Sequence, residues 1–106
     1  MVFFWWKKNK KINCARSIDR LLRDVEFASR IGAKVSLLKK WIREDLSSIE
    51  RHCDIKISSL VKPHALNIVD KFKGKKDFSE DYMVINNVLK DLFNSFSKGG
   101  KNDREK

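Results

Sequence analysis

Positive charge dominates the chemistry available to this chain. Twenty-four Lys and Arg residues face fourteen Asp and Glu, leaving a net charge of +10 over 106 residues. From Arg30 to Arg43 the basic residues Arg30, Lys34, Lys39, Lys40 and Arg43 occur with no acid among them. Lys39 and Arg43, four apart, fall on one face of a helix. A second run, Lys71, Lys73, Lys75 and Lys76, is also free of acids. Ammonium and guanidinium groups at this density attract polyanions: nucleic acid, anionic lipid surfaces or acidic proteins. Nucleic acid, either DNA or duplex RNA, is the partner this reading favours. The candidate contacts are Arg30, Lys34, Ser36, Lys39, Lys40, Arg43, Lys73, Lys75 and Lys76.

Catalytic chemistry finds little support. An active site needs a nucleophile beside a base, converging carboxylates or a phosphate cradle. The carboxylates Glu44–Asp45 and Glu80–Asp81 are adjacent in sequence, so they diverge by about 100° around a helix; such pairs solvate a surface or balance a helix start. Gly74-Lys75-Lys76 lacks the upstream glycine and the following Ser or Thr of a phosphate-binding loop. Cys14 and Cys53, with His52 and His64, show no paired ligand spacing. Two cysteines without a secretory signal read as reduced, half-buried helix residues. No catalytic residue, metal or cofactor is expected, and a cytoplasmic location follows from the same reading.

The elements that must carry the charge are helical. Ile18, Leu21, Leu22, Val25, Ala28 and Ile31 recur mostly three or four apart and predict a helix over about 13–31, closed by Gly32. Ser36 is a candidate cap for a second helix over 36–61, with Leu38, Trp41, Ile42, Ile49 and Cys53 inside and a break near Ser47, where Ser47-Ser48-Ile49-Glu50 has the capping-box pattern. Pro63 suits the first turn of a third helix over 64–73, whose apolar residues are Leu66, Ile68, Val69 and Phe72. A fourth covers about 78–97, with Phe78, Tyr82, Ile85, Leu89, Leu92 and Phe96 in heptad-like spacing. The expected fold is all-α, a small bundle of three to five helices. One domain over 12–97 is flanked by an aromatic and basic segment, 1–11, and a disordered polar tail, 98–106.

The stretch "FASRIGAKVSLLKKWIRE", Phe27 to Glu44, resembles the helix-turn-helix of phage and bacterial repressors. Phe27 and Ala28 stand where that motif packs its first helix, and Ile31 precedes the turn glycine, Gly32. Leu38 and Trp41 anchor its recognition helix. The resemblance implies a DNA-binding regulator with Lys34, Val35, Ser36, Lys39 and Lys40 toward the major groove. The residues themselves also allow a plain helical hairpin bent at Gly32. "SSLVKPHALNIVDKFKGK", Ser58 to Lys75, is faintly similar to part of the nodavirus silencing suppressors, helical dimers that grip duplex RNA by shape.

Two apolar features point to partners of another kind. Phe3, Phe4, Trp5 and Trp6 beside lysines suit a protein contact, a membrane interface or packing onto the domain itself. The seam Phe78, Tyr82, Ile85, Leu89, Leu92 and Phe96 suits a homodimer, unless the other helices cover it. The competing function is therefore a helical protein-interaction module: a chaperone, an immunity protein or a complex subunit.

Overall fold

The computed structural model describes the backbone of residues 2–105 and the side chains of residues 10–95. Four helices form: α1 Val2–Ile31, α2 Val35–His52, α3 Ile55–Lys73 and α4 Ser79–Glu105. Side chains 1–9 and 96–106 lie outside this description. The side chains of Phe3, Phe4, Trp5 and Trp6, of the polar tail 98–106 and of Phe96 in the seam therefore lie outside the described residues, while the backbone of 2–12 and 98–105 continues α1 and α4.

Each helix packs on its neighbours in the order α1, α2, α3, α4 and back to α1. Side-chain pairs set the directions. Between α1 and α2, Phe27 meets Trp41, Arg20 approaches Asp45, Ser17 bonds Ser48 and Cys14 joins Cys53. Rising numbers on one helix meet falling numbers on the other, so the pair is antiparallel. Glu50–Lys62 for α2 and α3, His64–Asp81 and Phe72–Phe78 for α3 and α4, and Lys11–Ser95 for α1 and α4 follow the same rule. The result is an up-down-up-down four-helix bundle.

The apolar stripes face inward. Ile18, Leu21, Val25, Leu38, Ile42, Ile49, Val61, Ile68 and Ile85 are the largest fully buried side chains, joined by Leu22, Ala28, Ala65, Leu89 and Leu92. Each large side chain fully buried contributes about 1.5–3 kcal/mol before chain entropy is set against it.

Four expectations need correction. The second helix does not break near Ser47; Ser48 bonds Ser17 and Ile49 is buried, so α2 runs on to His52. The break falls at Cys53–Asp54, where Asp54 caps α3 by accepting from the Ile57 N–H at 3.0 Å. Pro63 lies inside α3, not in its first turn. There it removes the N–H that would pair with the carbonyl of Ser59; both residues are on the exposed side of the helix. Ser36 does not cap α2: the cap is Lys34, with no side-chain hydrogen bond. Finally, Cys14 and Cys53 are not thiols. The antiparallel hairpin brings their Cα atoms to 4.8 Å and they form a buried disulfide.

Candidate nucleic-acid interface

An antiparallel bundle of four places its first and third turns at the same end. Residues 32–34 and 74–78 are those turns, so the two basic runs, some thirty positions apart in sequence, converge. Lys39 and Arg43 of α2 and Lys73 of α3 line one groove. Lys34, Ser36 and Lys40 are exposed beside it, and Lys75 and Lys76 stand exposed on the α3–α4 turn. Among the described residues, Lys34, Lys39, Lys40, Arg43, Lys73, Lys75 and Lys76 form no ion pair within 4 Å. Arg30 is drawn toward Glu26 at 3.8 Å on its own helix. Asp70, in the groove, and the exposed Asp77 offset part of the charge.

Helix ends add to the field. α2 begins with no acid in its first turn and no side-chain cap, so the positive end of its dipole is uncompensated. α3 ends in a Schellman turn: Lys76 N–H donates to the Lys71 carbonyl at 2.7 Å and Lys75 N–H to that of Phe72 at 3.2 Å. That turn holds Lys75 at φ 56°, while Gly74 sits at an ordinary −84°. α4 starts under Asp77, which accepts from the Ser79 N–H and hydroxyl and is thereby held below the usual carboxylate range.

The groove between α2 and α3 encloses about 600 Å³. Val35, Ile42, Leu46, Leu66 and Val69 form its floor. Lys39, Arg43 and Lys73 crowd one end, and Lys62 pairs with Glu50 at 3.8 Å toward the other. Lys62 was missed by counting acid-free runs, because Glu50 and Lys62 meet only after the chain folds back. Its spacing with Leu66, Val69 and Lys73 (four, three, four) marks a shared face that periodicity could have found.

Two buried aspartates were also missed. Asp81 and Asp45, expected to solvate surfaces or balance a helix start, are 5% and 4% exposed. Asp81 does lie in the first turn of α4, yet it accepts from Lys71 Nζ at 2.7 Å and Asn67 Nδ2 at 3.4 Å, and stands 2.8 Å from His64 Nδ1. Lys71 holds the Asp81 carboxyl below its ordinary value against the opposing effect of burial, and is itself raised by Asp81. Asp45 faces Asp24 and sits 3.9 Å from Arg20, with no hydrogen-bond partner for its Oδ2. Burial first, and Asp24 second, push Asp45 up to about 8.

The fourth-helix seam is used within the chain. Ile85, Leu89 and Leu92 belong to the core, and Phe78 and Tyr82 pack against it. A homodimer joined through these side chains would have to open the bundle. Among the described residues no helix is long and apolar enough to cross a membrane. Comparison with known proteins finds no family model, no curated relative and no solved structure that matches this chain.

Proposed function

We propose that this is a nucleic-acid-binding protein that grips the phosphate backbone with the basic end of its bundle. The observation that carries the reading is the convergence of two distant acid-free runs, with Lys39, Arg43 and Lys73 lining one groove. Among the described residues, seven lysine and arginine side chains form no ion pair that phosphate would first have to break. Proteins of this kind owe most of their affinity to counterion release.

The helix-turn-helix reading fits less well. In that motif the helices cross at roughly 90–120° and meet near their turn, whereas α1 and α2 lie side by side from Phe27–Trp41 to Cys14–Cys53. A recognition helix inserted in the major groove is accordingly not part of the proposal, and contact with a duplex by shape is. Cytoplasmic residence belongs to the same proposal, and it carries a condition: disulfides are rare in that compartment, so the bundle must hold with Cys14 and Cys53 reduced.

A titration of duplex DNA, duplex RNA and single strands against salt tests it. The slope of log K against log salt is expected to be about −4 to −6 for a duplex, the release expected of five or six phosphate contacts. The double change Lys39→Glu, Lys73→Glu should abolish measurable binding while helicity stays native. Unchanged affinity would end the proposal. A flat salt dependence would instead favour the protein-interaction reading, which draws on Phe27, Ile31 and Leu37, exposed at this same end, with Phe27 against Trp41.

A further inference from the structure

The α2–α3 groove has a property that phosphate binding does not use: its floor is apolar. Val35, Ile42, Leu46, Leu66 and Val69 line it, and Leu66 remains 47% exposed although it lies in the middle of α3. A nucleic-acid backbone gains nothing from such a floor. Sites of a few hundred Å³ with apolar walls and a few placed charges take small ligands.

The charge along the groove is uneven. At the turn end, Lys39, Arg43 and Lys73 outnumber Asp70. At the other end Glu50 and Lys62 neutralise one another at 3.8 Å. From the level of Lys39 to that of Glu50 is eleven helical steps, roughly 16 Å. A docked acidic helix would want cations along both rims for its whole length. A bilayer would want the apolar groups to protrude, and Ile42, Leu46 and Val69 are sunk below the rim at 1%, 8% and 8% exposure. One anionic head followed by one apolar tail matches both the polarity and the length.

We propose that the α2–α3 groove binds a free single-chain fatty acid, its carboxylate between Lys39, Arg43 and Lys73 and its tail along Ile42, Leu46, Leu66 and Val69. This goes beyond the nucleic-acid reading and does not rest on it.

Calorimetric titration of the full chain with laurate, held below its micellar concentration, tests the site, with dodecanol as the neutral-headed control. Laurate is expected to bind saturably, one per chain, and dodecanol at least about tenfold more weakly, since the alcohol forgoes the charged contacts. Leu66→Asp places a carboxylate in the tail path at an already exposed position, so the fold should stay native by circular dichroism while laurate affinity falls at least about tenfold. Nucleic-acid binding, read separately by gel shift, should survive Leu66→Asp, so the two proposals fail independently. Absence of saturable laurate binding, equal affinity for dodecanol, or full laurate affinity in a natively folded Leu66→Asp would each overturn the assignment. So would adsorption to anionic phospholipid vesicles that Leu66→Asp abolishes while laurate alone does not bind.

Discussion

Asp45 in the α1–α2 hairpin and Asp81 in the α3–α4 hairpin are buried to nearly the same degree, 4% and 5% exposed, yet their carboxyls shift in opposite directions. Asp81 has Lys71, His64 and Asn67 around it and is lowered. Asp45 has a distant Arg20, a second carboxyl in Asp24 and an oxygen with no partner, and is raised to about 8. Burial pushes both carboxyls up; it prevails at Asp45, with Asp24 adding to it, and is overcome at Asp81 by the donors reached across the helix interface. The hairpin with the poorly satisfied carboxylate is also the one closed by Cys14–Cys53. The covalent bond thus joins the two helices between which the poorly satisfied carboxylate lies.

Removing that bond should give the largest effect. It closes a segment of 39 residues, for which the chain-entropy account gives about 4 kcal/mol. That is a large part of the 5–15 kcal/mol typical of small domains. Urea unfolding with and without a reductant should show the difference, with native helicity retained at low urea. An unchanged midpoint would mean that α1 and α2 stay together without the disulfide and that the contrast between the hairpins is overstated.

Asp81→Asn comes next. It leaves Lys71 and His64 without their carboxylate, and the loss of a charge-assisted network of this kind costs about 1–3 kcal/mol. The pH dependence carries the signature. A lowered folded pKa contributes stability above the unfolded value of 3.8 that is lost as pH falls through the folded value. The wild type should therefore lose stability more steeply than Asp81→Asn on acidification. Parallel acid curves would show that the network does not hold the carboxylate as described.

Asp45→Asn should act in the opposite direction and by less. A raised folded pKa contributes stability that is complete below 3.8 and is lost as pH rises toward about 8. The variant, which cannot ionise there, should lie closest to the wild type near pH 4 and exceed it increasingly as pH rises toward 8. Destabilisation at pH 8 would mean that the Arg20 contact outweighs burial and the Asp24 carboxyl.

Much of this was legible in the sequence, and the reasons differ by residue. The stripe Ile18, Leu21, Leu22, Val25 and Ala28 is buried as its period required, because one helix face needs only local spacing; Ile31, counted in the same stripe, is instead 52% exposed at the end of α1. The seam Ile85, Leu89 and Leu92 was equally legible, but what covers it was not: α1 and α3 are long enough to do so within one chain. The basic runs were visible as composition, and their convergence was not, since it depends on the antiparallel topology. Leu66, one of the apolar residues expected of the third helix, floors an open groove, whereas Ile68 and Val69 beside it are buried. Asp45 and Asp81 read as surface residues because a lone polar position on an apolar face is silent about its cross-helix partner. The cysteines, 39 residues apart, give no local sign that α1 and α2 bring them together.

The two turns at the basic end repeat the contrast on a smaller scale. Both helices end with a residue in the left-handed region, Gly32 at φ 64° after α1 and Lys75 at φ 56° after α3. In the first turn glycine occupies the position that favours it. In the second, the glycine stands one residue early, at −84°, and a lysine takes the strained conformation. A side chain there costs about 1 kcal/mol. Gly32→Ala should therefore destabilise by about 1 kcal/mol through backbone strain alone, since no atom lies within 4 Å of the added Cβ. Lys75→Gly should stabilise by about 0.5 kcal/mol, the relief of strain being partly offset by the greater freedom of glycine in the unfolded chain. If Lys75 is kept for its charge, the same change should weaken duplex binding and make the salt slope shallower by about 1. A variant that is more stable and binds less would show that the lysine serves the ligand at the expense of the fold. A variant that is more stable and binds as before would remove Lys75 from the interface and leave its left-handed turn as unexplained strain.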